Sequence, residues 1–477
     1  MNDLLSRRDV MQRMASVALV CSFGAVKTTR RDTTSAAMRA QAAAPFEPFR
    51  ADLPIPPELV ASSRRRGRET YELAIRKGMA EILPGFETPV YGYDGLYPGP
   101  TIRARKGRET VVRQSNQLGF DVNVHLHGGT VPAKHDGHPM DLIKPGDAFT
   151  YRYPNHQDAA TLWYHDHAHG HTARSIHYGM AAFYLLEDER EEELDLPRGE
   201  YDIPLMLQDR AFAEDGSFKY EQNIDVGFLG DTIVVNGAVV PRMRVKRRRY
   251  RLRFLNASNA REYGLKLARG SMTQIATDGG LLPRAVKREQ VDVAPAERID
   301  VVVDFSQYRA GDEIVLANTL GEGSTAAVMR FDVERGGGAE EFRVPRRLRR
   351  LERIPPPAVD RSFDLSLGSG TGGPQWRIDG RSFDMERVDM RIRLGTSERW
   401  TFVNPSNRVH PMHLHGFLFR VLEPAGVSGL KDTIAVRPGA SVTVQPWFDP
   451  YPGRYVFHCH ALEHGDFGMM LQMEVER

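Results

Sequence analysis

The 477-residue sequence predicts an all-β protein of about three domains. Short strand-like runs bounded by glycine, proline and aspartate recur along the chain, at residues 109–112, 250–255, 299–305 and 441–444 among others. The length exceeds that of one ordinary domain, which holds about 100 to 200 residues. No apolar stretch reaches the roughly 20 residues that a helix needs to span a bilayer, so no membrane span is expected.

Residues 1–44 are predicted to be a leader. Ser6-Arg7-Arg8-Asp9-Val10-Met11 resembles a twin-arginine export signal, and the modestly apolar residues 15–26 follow it. The small residues at 40–44 offer a cleavage site. This pattern favours export to the periplasm or the extracellular space by the twin-arginine route, and the alternative is a disordered leader on an intracellular protein. Cys21 lies in the leader, so a structural disulfide would have to consume Cys459.

Two linkers divide the remaining chain. A charged run at residues 187–193 ahead of Pro197 indicates a linker near 189–200. A glycine run at 336–338, a basic stretch and prolines at 355–357 indicate another near 336–358. The predicted domains are therefore residues 45–188, 201–335 and 359–477. Lys and Arg number 64 against 62 Asp and Glu, so no nucleic-acid partner is predicted, and the arginine clusters are interpreted as solvated surfaces.

Histidine is confined to two parts of the chain. All 16 histidines lie within residues 125–177 or 410–464. Eight of them form four His-x-His pairs: His125 with His127, His165 with His167, His413 with His415, and His458 with His460. Residues i and i+2 of a strand point to the same face. One pair alone would indicate a solvent-facing strand, because histidine is intermediate in burial, but four pairs predict that the two parts meet around metal ions.

The segment His458-Cys459-His460 suits two metal sites at once, because on a strand Cys459 points away from its two neighbours. Thiolate, imidazole and thioether ligands select copper, and two histidines, a cysteine and a weak axial methionine form a blue-copper electron-transfer centre. Cys459, His464 and Met469 supply three of these ligands. We assign His410 as the fourth.

With these motifs present in order, the chain resembles the three-domain multicopper oxidases. Residues 201–210, 255–261 and 277–283 resemble the branch that contains spore-coat laccases, bilirubin oxidases and phenoxazinone synthases. The resemblance runs from about residue 45 to the C-terminus. It implies three consecutive cupredoxin-like Greek-key β-sandwich domains and four copper ions, one of type 1, one of type 2 and two of type 3. Position by position, the implied ligands are His410, Cys459, His464 and Met469 for type 1, His125 and His413 for type 2, and His127, His165, His167, His415, His458 and His460 for type 3.

Proton supply is the point at which the chain departs from the family pattern. Asp136 matches a position where related oxidases carry an acid near type 2 copper, so it is the candidate proton relay, although Asp136-Gly137 is also a turn dipeptide. Many relatives carry glutamate directly after the second type 1 histidine, where this chain has Gly465. Either Glu463, Asp466 or a water chain would then substitute, or dioxygen reduction would be slower. On an extended strand Asp466 would point elsewhere. Spacing also favours His169 as a group that orients a ligand.

The resemblance implies a laccase-like oxidase. Phenols, aromatic amines or similar reductants would give single electrons at type 1 copper, Cys459 would relay them, and dioxygen would be reduced to water at the trinuclear copper cluster. Small-molecule reductants and dioxygen are thus the expected partners, and a monomer is favoured. Met469 as axial ligand predicts a low to intermediate type 1 potential.

Three other functions compete with this one. A cuprous-ion oxidase for copper tolerance would commonly carry a methionine-rich insert, and residues 359–410 contain none. Bilirubin oxidation is a closer alternative that no sequence feature separates from phenol oxidation. From another class comes a metal-free structural protein on the same fold, against which the intact ligand set argues.

Overall fold

The computed structural model describes residues 46–337, 342–370 and 373–477. The predicted leader with Cys21, and Gly338 of the second predicted linker, lie outside them. The described residues are mostly strands, which confirms the all-β prediction. Their α-helices are short: α1 (Thr172–His177), α2 (Glu189–Glu192) and α3 (Leu462–Asp466). Single 3-10 turns occur at Ala133–His135, Gly199–Tyr201, Phe305–Gln307 and Gly323–Thr325.

The first pair of sheets contains five and four strands. The five-stranded sheet consists of β1 (Ser63–Arg65), β2 (Arg68–Ala80), β3 (Thr88–Tyr93), β5 (Glu109–Asn116) and β7 (Ala148–Tyr153). The four-stranded sheet, in spatial order, consists of β4 (Ile102–Arg105), β9 (Ala181–Glu187), β8 (Ala160–His165) and β6 (His125–His127). Alternate residues of β2, such as Tyr71, Leu73 and Ile75, are buried in one core with Leu126 and Leu162, which is the period-two pattern of a half-buried strand.

The second pair contains eight and five strands and none of the histidines. The larger sheet consists of β10 (Asp202–Phe212), β11 (Phe218–Lys219), β12 (Thr232–Val235), β13 (Ala238–Val239), β15 (Arg249–Asn256), β17 (Met272–Thr277), β18 (Gly280–Arg288) and β20 (Arg298–Asp304). The smaller sheet consists of β14 (Arg242–Val245), β16 (Tyr263–Leu267), β19 (Gln290–Val293), β21 (Glu313–Asn318) and β22 (Ala327–Val333). Buried valine, isoleucine and leucine side chains fill the core between them.

The third pair contains six and five strands. The larger sheet consists of β23 (Pro357–Gly370), β24 (Gly373–Ile378), β26 (Ser397–Val403), β28 (Phe419–Glu423), β29 (Leu430–Lys431) and β31 (Ser441–Pro446). The smaller sheet consists of β25 (Met390–Arg393), β27 (His410–Leu414), β30 (Thr433–Val436), β32 (Gly453–Cys459) and β33 (Met470–Glu476). Aromatic side chains, including Trp400 and Phe457, pack between the two sheets.

The strand runs predicted from sequence lie on β5, β15, β20 and β31, and pairing with neighbouring strands extends three of them beyond the predicted ends. The first predicted linker contains α2, whose first turn is capped by the Asp188 carboxylate. The second overlaps the start of β23. The domain boundaries themselves stay a prediction. No helix of the described residues has the length and apolar character needed to cross a membrane.

The histidine strands lie in two different pairs of sheets. In the first pair β6 runs antiparallel to β8, with His125 opposite His165. In the third pair β27 runs antiparallel to β32, with His413 opposite His458. His167, His415 and His460 lie just beyond the ends of their strands. The ends of these four strands meet, and the imidazoles from both parts of the chain converge there.

Candidate metal centres

A buried thiol lies between two imidazoles. Cys459 Sγ is 3.6 Å from His410 Nδ1 and 3.5 Å from His464 Nδ1. The Nε2–H of His464 donates to the Asp225 carbonyl at 3.2 Å, which leaves the Nδ1 lone pair facing the sulfur. Burial lowers the pKa of His410 to about 2 and that of His464 to about 4, so both rings are neutral. This is a soft donor set of one sulfur and two nitrogens.

Met469 and Trp376 enclose this group. Met469 is fully buried, and its carbonyl accepts the Cys459 amide N–H at 3.0 Å. The Trp376 ring packs on the His410 and His464 rings, with centroid separations of 4.6 and 5.1 Å. Its indole N–H donates to the Ile224 carbonyl at 3.0 Å. Trp376 of β24, held by the Ile224 carbonyl, therefore covers both imidazoles.

Three further imidazoles converge through their Nε2 atoms. His167, His415 and His458 place these atoms 3.1 to 3.2 Å apart. His415 Nδ1–H donates to the Asp136 carboxylate at 2.7 Å, and His458 Nδ1–H donates to the Cys459 carbonyl at 3.0 Å. Their Nε2 atoms therefore carry lone pairs that face each other. Such an arrangement is repulsive unless a cation lies between the rings.

His127, His165 and His460 form a second group of three. His165 Nδ1–H donates to the Asp166 carbonyl at 2.8 Å, so its Nε2 carries the lone pair. His127 is turned the other way, because its Nε2–H donates to the Asp432 carboxylate at 3.0 Å and its Nδ1 lies 3.4 Å from His165 Nε2. Neither ring nitrogen of His460 has a hydrogen-bond partner in the described structure. A buried ring with two unpartnered nitrogens is the expected form of a ligand without its ion.

His125 and His413 form a pair between these two groups. Their Nε2 atoms are 3.3 Å apart. The Nδ1–H of His125 donates to the Asp136 carbonyl at 2.5 Å, and that of His413 donates to the Asp432 carbonyl at 2.9 Å. Both Nε2 lone pairs therefore face one another, as in the groups of three.

All twelve ligand positions predicted from sequence lie in or against these groups, and none of the twelve residues is more than 4% exposed. Burial also lowers the pKa of the His165 and His458 imidazoles to about 3, and of His125, His127, His167, His415 and His460 well below the ordinary value. These rings are neutral, which is the form that binds metal.

Asp432 is a site residue that the sequence analysis missed. Its carboxylate holds His127 and its carbonyl holds His413, so it supports predicted ligands from two parts of the chain. The available signal was a charged pair, Lys431-Asp432, directly ahead of the apolar residues of β30.

The structure corrects the prediction for residues near Gly465. Asp466 does not lie on an extended strand, because residues 462–466 form α3. Its carboxylate accepts the amide N–H groups of Thr172 and Ala173 at the start of α1. The Glu463 carboxylate accepts from the Asn259 amide at 2.8 Å and the Tyr220 hydroxyl at 3.0 Å. Neither carboxylate contacts a ligand imidazole through these bonds.

His169 does not orient a ligand through Nδ1, which has no hydrogen-bond partner in the described structure. Its ring packs on Phe383 with a centroid separation of 5.0 Å. Spacing alone misplaced this residue, because β8 ends at His165 and His169 lies in the loop that precedes α1.

Comparison with known proteins decides the family. Three family models described as multicopper oxidase match residues 74–191, 163–330 and 355–477. A laccase from Bacillus stratosphericus is 37% identical, over 90% of this chain and 99% of its own length. The chain belongs to the multicopper oxidase family. A bilirubin oxidase from Albifimbria verrucaria is 35% identical to this multicopper oxidase, over 96% of this chain and 87% of its own length.

Solved structures agree with this membership. A laccase from Pediococcus acidilactici has a TM-score of 0.84 and 32% identity, covering 91% of this chain and 95% of its own. The prediction of consecutive cupredoxin-like β-sandwiches is thereby confirmed. This multicopper oxidase is a copper-dependent oxidoreductase that binds four copper ions, of types 1, 2 and 3.

The residues present fit copper on chemical grounds. Neutral buried imidazoles present facing lone pairs in three places, and one cysteine lies between two further imidazoles. Burial without a cation raises the pKa of the Cys459 thiol, so the thiolate requires an ion at its centre. Nitrogen and sulfur donors in this combination suit copper, whereas calcium or magnesium would require oxygen donors.

Proposed function

We propose that this multicopper oxidase is a laccase-like enzyme that takes electrons one at a time from phenols, aromatic amines or similar reductants. The observation that carries the proposal is the complete and buried set of imidazole groups beside the Cys459 group. When bound, the copper ions supply the redox chemistry: oxidation of the donor at type 1 and four-electron reduction of dioxygen to water at the trinuclear cluster. An electron carrier would need only the Cys459 group.

We assign the ligands by group. His410, Cys459, His464 and Met469 would hold type 1 copper, and His125 with His413 would hold type 2. The type 3 pair would be held by His127, His165 and His460 on one side and by His167, His415 and His458 on the other. Cys459 would relay electrons, because His458 and His460 are its direct chain neighbours and each lies in a different group of three. The route between the two kinds of site is then a few covalent bonds.

Proton supply is assigned to the side of the cluster that Asp136 faces. Asp136 contacts His415 through its carboxylate and His125 through its carbonyl. Gly465 offers no carboxylate, and both Glu463 and Asp466 are bonded to other groups. Asp136 as the proton relay is supported by this contact, since a general acid must be within hydrogen-bond reach or one water of its target.

Bilirubin oxidation is the nearest alternative, and its support is the similarity to a bilirubin oxidase over most of both chains. A cuprous-ion oxidase is the other alternative within the same chemistry. The Trp376 cover over His410 and His464 argues against direct contact of a donor with these rings, and therefore favours donors that deliver electrons across a short protein barrier.

Dioxygen uptake by the copper-loaded protein tests these proposals. A substituted phenol, bilirubin and cuprous ion are offered separately, and peroxide is assayed at the end. Rapid uptake with a phenol and no peroxide is the expected result. Uptake confined to bilirubin or to cuprous ion would transfer the assignment to that donor. No uptake with any donor at full copper content would refute the oxidase proposal in favour of a structural role.

We further propose export by the twin-arginine route, on the basis of Ser6-Arg7-Arg8-Asp9-Val10-Met11. Replacing Arg7 and Arg8 together by lysine is expected to retain the full-length chain inside the cell. Fractionation of cells that express the parent and the variant measures this. Equal export of the two would exclude the route.

A further inference from the structure

A chain of buried alternating charges leads away from the copper ligands. Its members are Asp432, Arg298, Asp278, Lys431 and Glu297, which we call the buried ion chain. The Arg298 guanidinium forms a two-pronged ion pair with the Asp432 carboxylate. Lys431 Nζ lies 2.9 Å from the Asp278 carboxylate and 3.2 Å from the Glu297 carboxylate. Arg298 Nη1 lies 3.7 Å from the Asp278 carboxylate, which links the two halves.

Arg298 bonds to residues of all three pairs of sheets. Its Nε–H donates to the Thr161 carbonyl of β8 in the first pair, at 3.0 Å. Its Nη groups donate to the carbonyls of Ala296 at 3.0 Å and Asp278 at 3.2 Å in the second pair. Asp432 belongs to the third pair. The guanidinium is fully buried, and its donors reach partners on every side.

Gly128 marks how closely the ion pair packs on the ligand strand. It follows His127 at the end of β6 and has a φ of +82°. A Cβ at this position would lie 2.5 Å from Arg298 Nη2 and 2.7 Å from Asp432 Oδ2. Only glycine lets the backbone beside His127 approach the Arg298–Asp432 pair this closely.

We propose that Arg298 is a positioning residue for the copper ligands, acting through Asp432. The guanidinium holds the Asp432 carboxylate where it accepts the His127 Nε2–H, so that Nδ1 faces the other ligands. The Asp432 backbone N–H donates to the Asp278 carboxylate at 3.4 Å, and Arg298 Nη1 lies 3.7 Å from that carboxylate, so the same cation also steadies the Asp432 backbone, whose carbonyl accepts the His413 Nδ1–H. One cation thus sets the orientation of two ligands from different pairs of sheets. This inference rests on the proposed assignment of His127 and His413 as copper ligands.

Arg253 provides a matched control. It is also buried, also forms a two-pronged pair with a buried carboxylate, Asp202, and also contacts Thr161, through the hydroxyl at 3.1 Å. Like Arg298, it joins the first pair of sheets to the second. Asp202 makes no contact with a ligand imidazole in the described structure. If Arg298 did no more than join the pairs of sheets, replacing Arg253 would therefore affect copper binding as much as replacing Arg298.

The experiment compares Arg298→Met, Arg298→Lys and Arg253→Met in the full chain. Copper content, the electron paramagnetic resonance spectrum of type 2 copper and the visible absorption of type 1 copper are measured, with apparent thermal unfolding of the copper-free protein. In Arg298→Met we expect affinity for trinuclear copper to fall about 10- to 100-fold, as when partners that orient metal ligands are removed. We also expect a changed type 2 spectrum and an unchanged type 1 band.

Arg298→Lys keeps the charge but not the two-pronged geometry, so partial recovery of copper content is expected. Arg253→Met should lower thermal stability while its copper spectra stay those of the parent. The proposal is overturned if both methionine variants lose copper equally, or if Arg298→Met keeps the parent type 2 spectrum.

If Arg298→Met does not fold, Asp278→Asn serves instead. It removes one charge from the buried ion chain without touching a ligand, and a smaller change in the type 2 spectrum is expected. An unchanged spectrum would overturn the proposal. All readouts are independent of turnover. Failure of the oxidase function would therefore appear as a lack of dioxygen uptake in the parent, and failure of the positioning role as parent-like copper spectra in the variants.

Discussion

Individual hydrogen bonds set the direction of most of the predicted ligand imidazoles. In His125, His165, His413 and His458 the Nδ1–H donates to a backbone carbonyl, which leaves Nε2 for the metal. His127 bonds a carboxylate through Nε2 and is therefore reversed. Because all these rings are buried and their outer nitrogens are occupied, they are arranged for metal before metal arrives.

The Cys459 group is expected to account for the blue colour and for acceptance of electrons from the donor. In Cys459→Ser the thiolate is lost, while the eight imidazoles of the predicted type 2 and type 3 sites stay in place. We expect loss of the intense visible absorption, donor oxidation reduced to background and retention of the other copper ions. Visible spectroscopy and metal analysis measure this. A variant that keeps both colour and turnover would refute the type 1 assignment.

Asp136 is expected to matter through its bond to His415. Asp136→Asn replaces the carboxyl group that accepts the His415 Nδ1–H with an amide, and turnover or trinuclear copper affinity should fall about 10- to 100-fold. The type 1 absorption should not change. Dioxygen uptake and copper analysis measure the effect. The control is Asp147→Asn, an exposed carboxylate eleven residues further along, and equal behaviour of the two variants would count against Asp136.

Short strands and tight turns together position the predicted ligand residues. The strand β6 has only three residues, and a turn at Gly137 packs against its start. Gly137 has a φ of +79°, and a Cβ there would lie 2.2 Å from the Val124 carbonyl oxygen and 2.7 Å from His125 Cα. The predicted turn dipeptide Asp136-Gly137 is thus compatible with a site role for Asp136.

Gly137→Ala is expected to displace β6. The left-handed backbone alone costs about 1–2 kcal/mol for alanine, and the contact with Val124 and His125 adds to it. We expect reduced copper content and a lower apparent unfolding temperature. Gly146→Ala is the control, because Gly146 has a φ of +85° but no atom within 4 Å of the added Cβ. If both variants retain full copper, close packing at Gly137 does not position the ligand strand.

At the scale of the whole molecule, buried charges join the pairs of sheets. Arg253 and Arg251 lie among Asp202, Asp300 and Glu191 between the first and second pairs. Burial raises the pKa of the Asp202 carboxyl, but Arg253 and Arg251 outweigh it and hold the pKa below the ordinary 3.8. Removing one partner of such a pair leaves an uncompensated buried charge, which is destabilising by about 3–5 kcal/mol.

Low pH should weaken the ion pairs between the first and second pairs of sheets. A carboxyl whose folded pKa is lowered contributes stability above its unfolded pKa, and the contribution is lost as pH falls through the lower folded value. We expect the stability difference between the copper-free parent and Arg253→Met to be largest near pH 7 and to shrink below about pH 4. Urea unfolding midpoints at several pH values measure this. Arg244→Met, at an exposed ion pair, should show no such trend, and a difference that stays constant with pH would contradict the prediction.

Sequence by itself determined the all-β class and predicted the twelve candidate ligand positions. His-x-His spacing, and Cys459 between His458 and His460, are local properties, because the strand period decides which face each side chain takes. The resemblance to the family added the predicted assignment of each candidate ligand to a type of copper site.

Only the tertiary structure decided which side chains and backbone carbonyls orient the predicted ligand imidazoles. Asp432 and Arg298 are 134 residues apart, and neither lies beside His127 in the chain. The helical turn of α3 that carries Asp466 to the start of α1 also depends on packing between distant segments. Buried polar groups must find partners wherever the fold brings them, and periodicity along the chain does not contain that information.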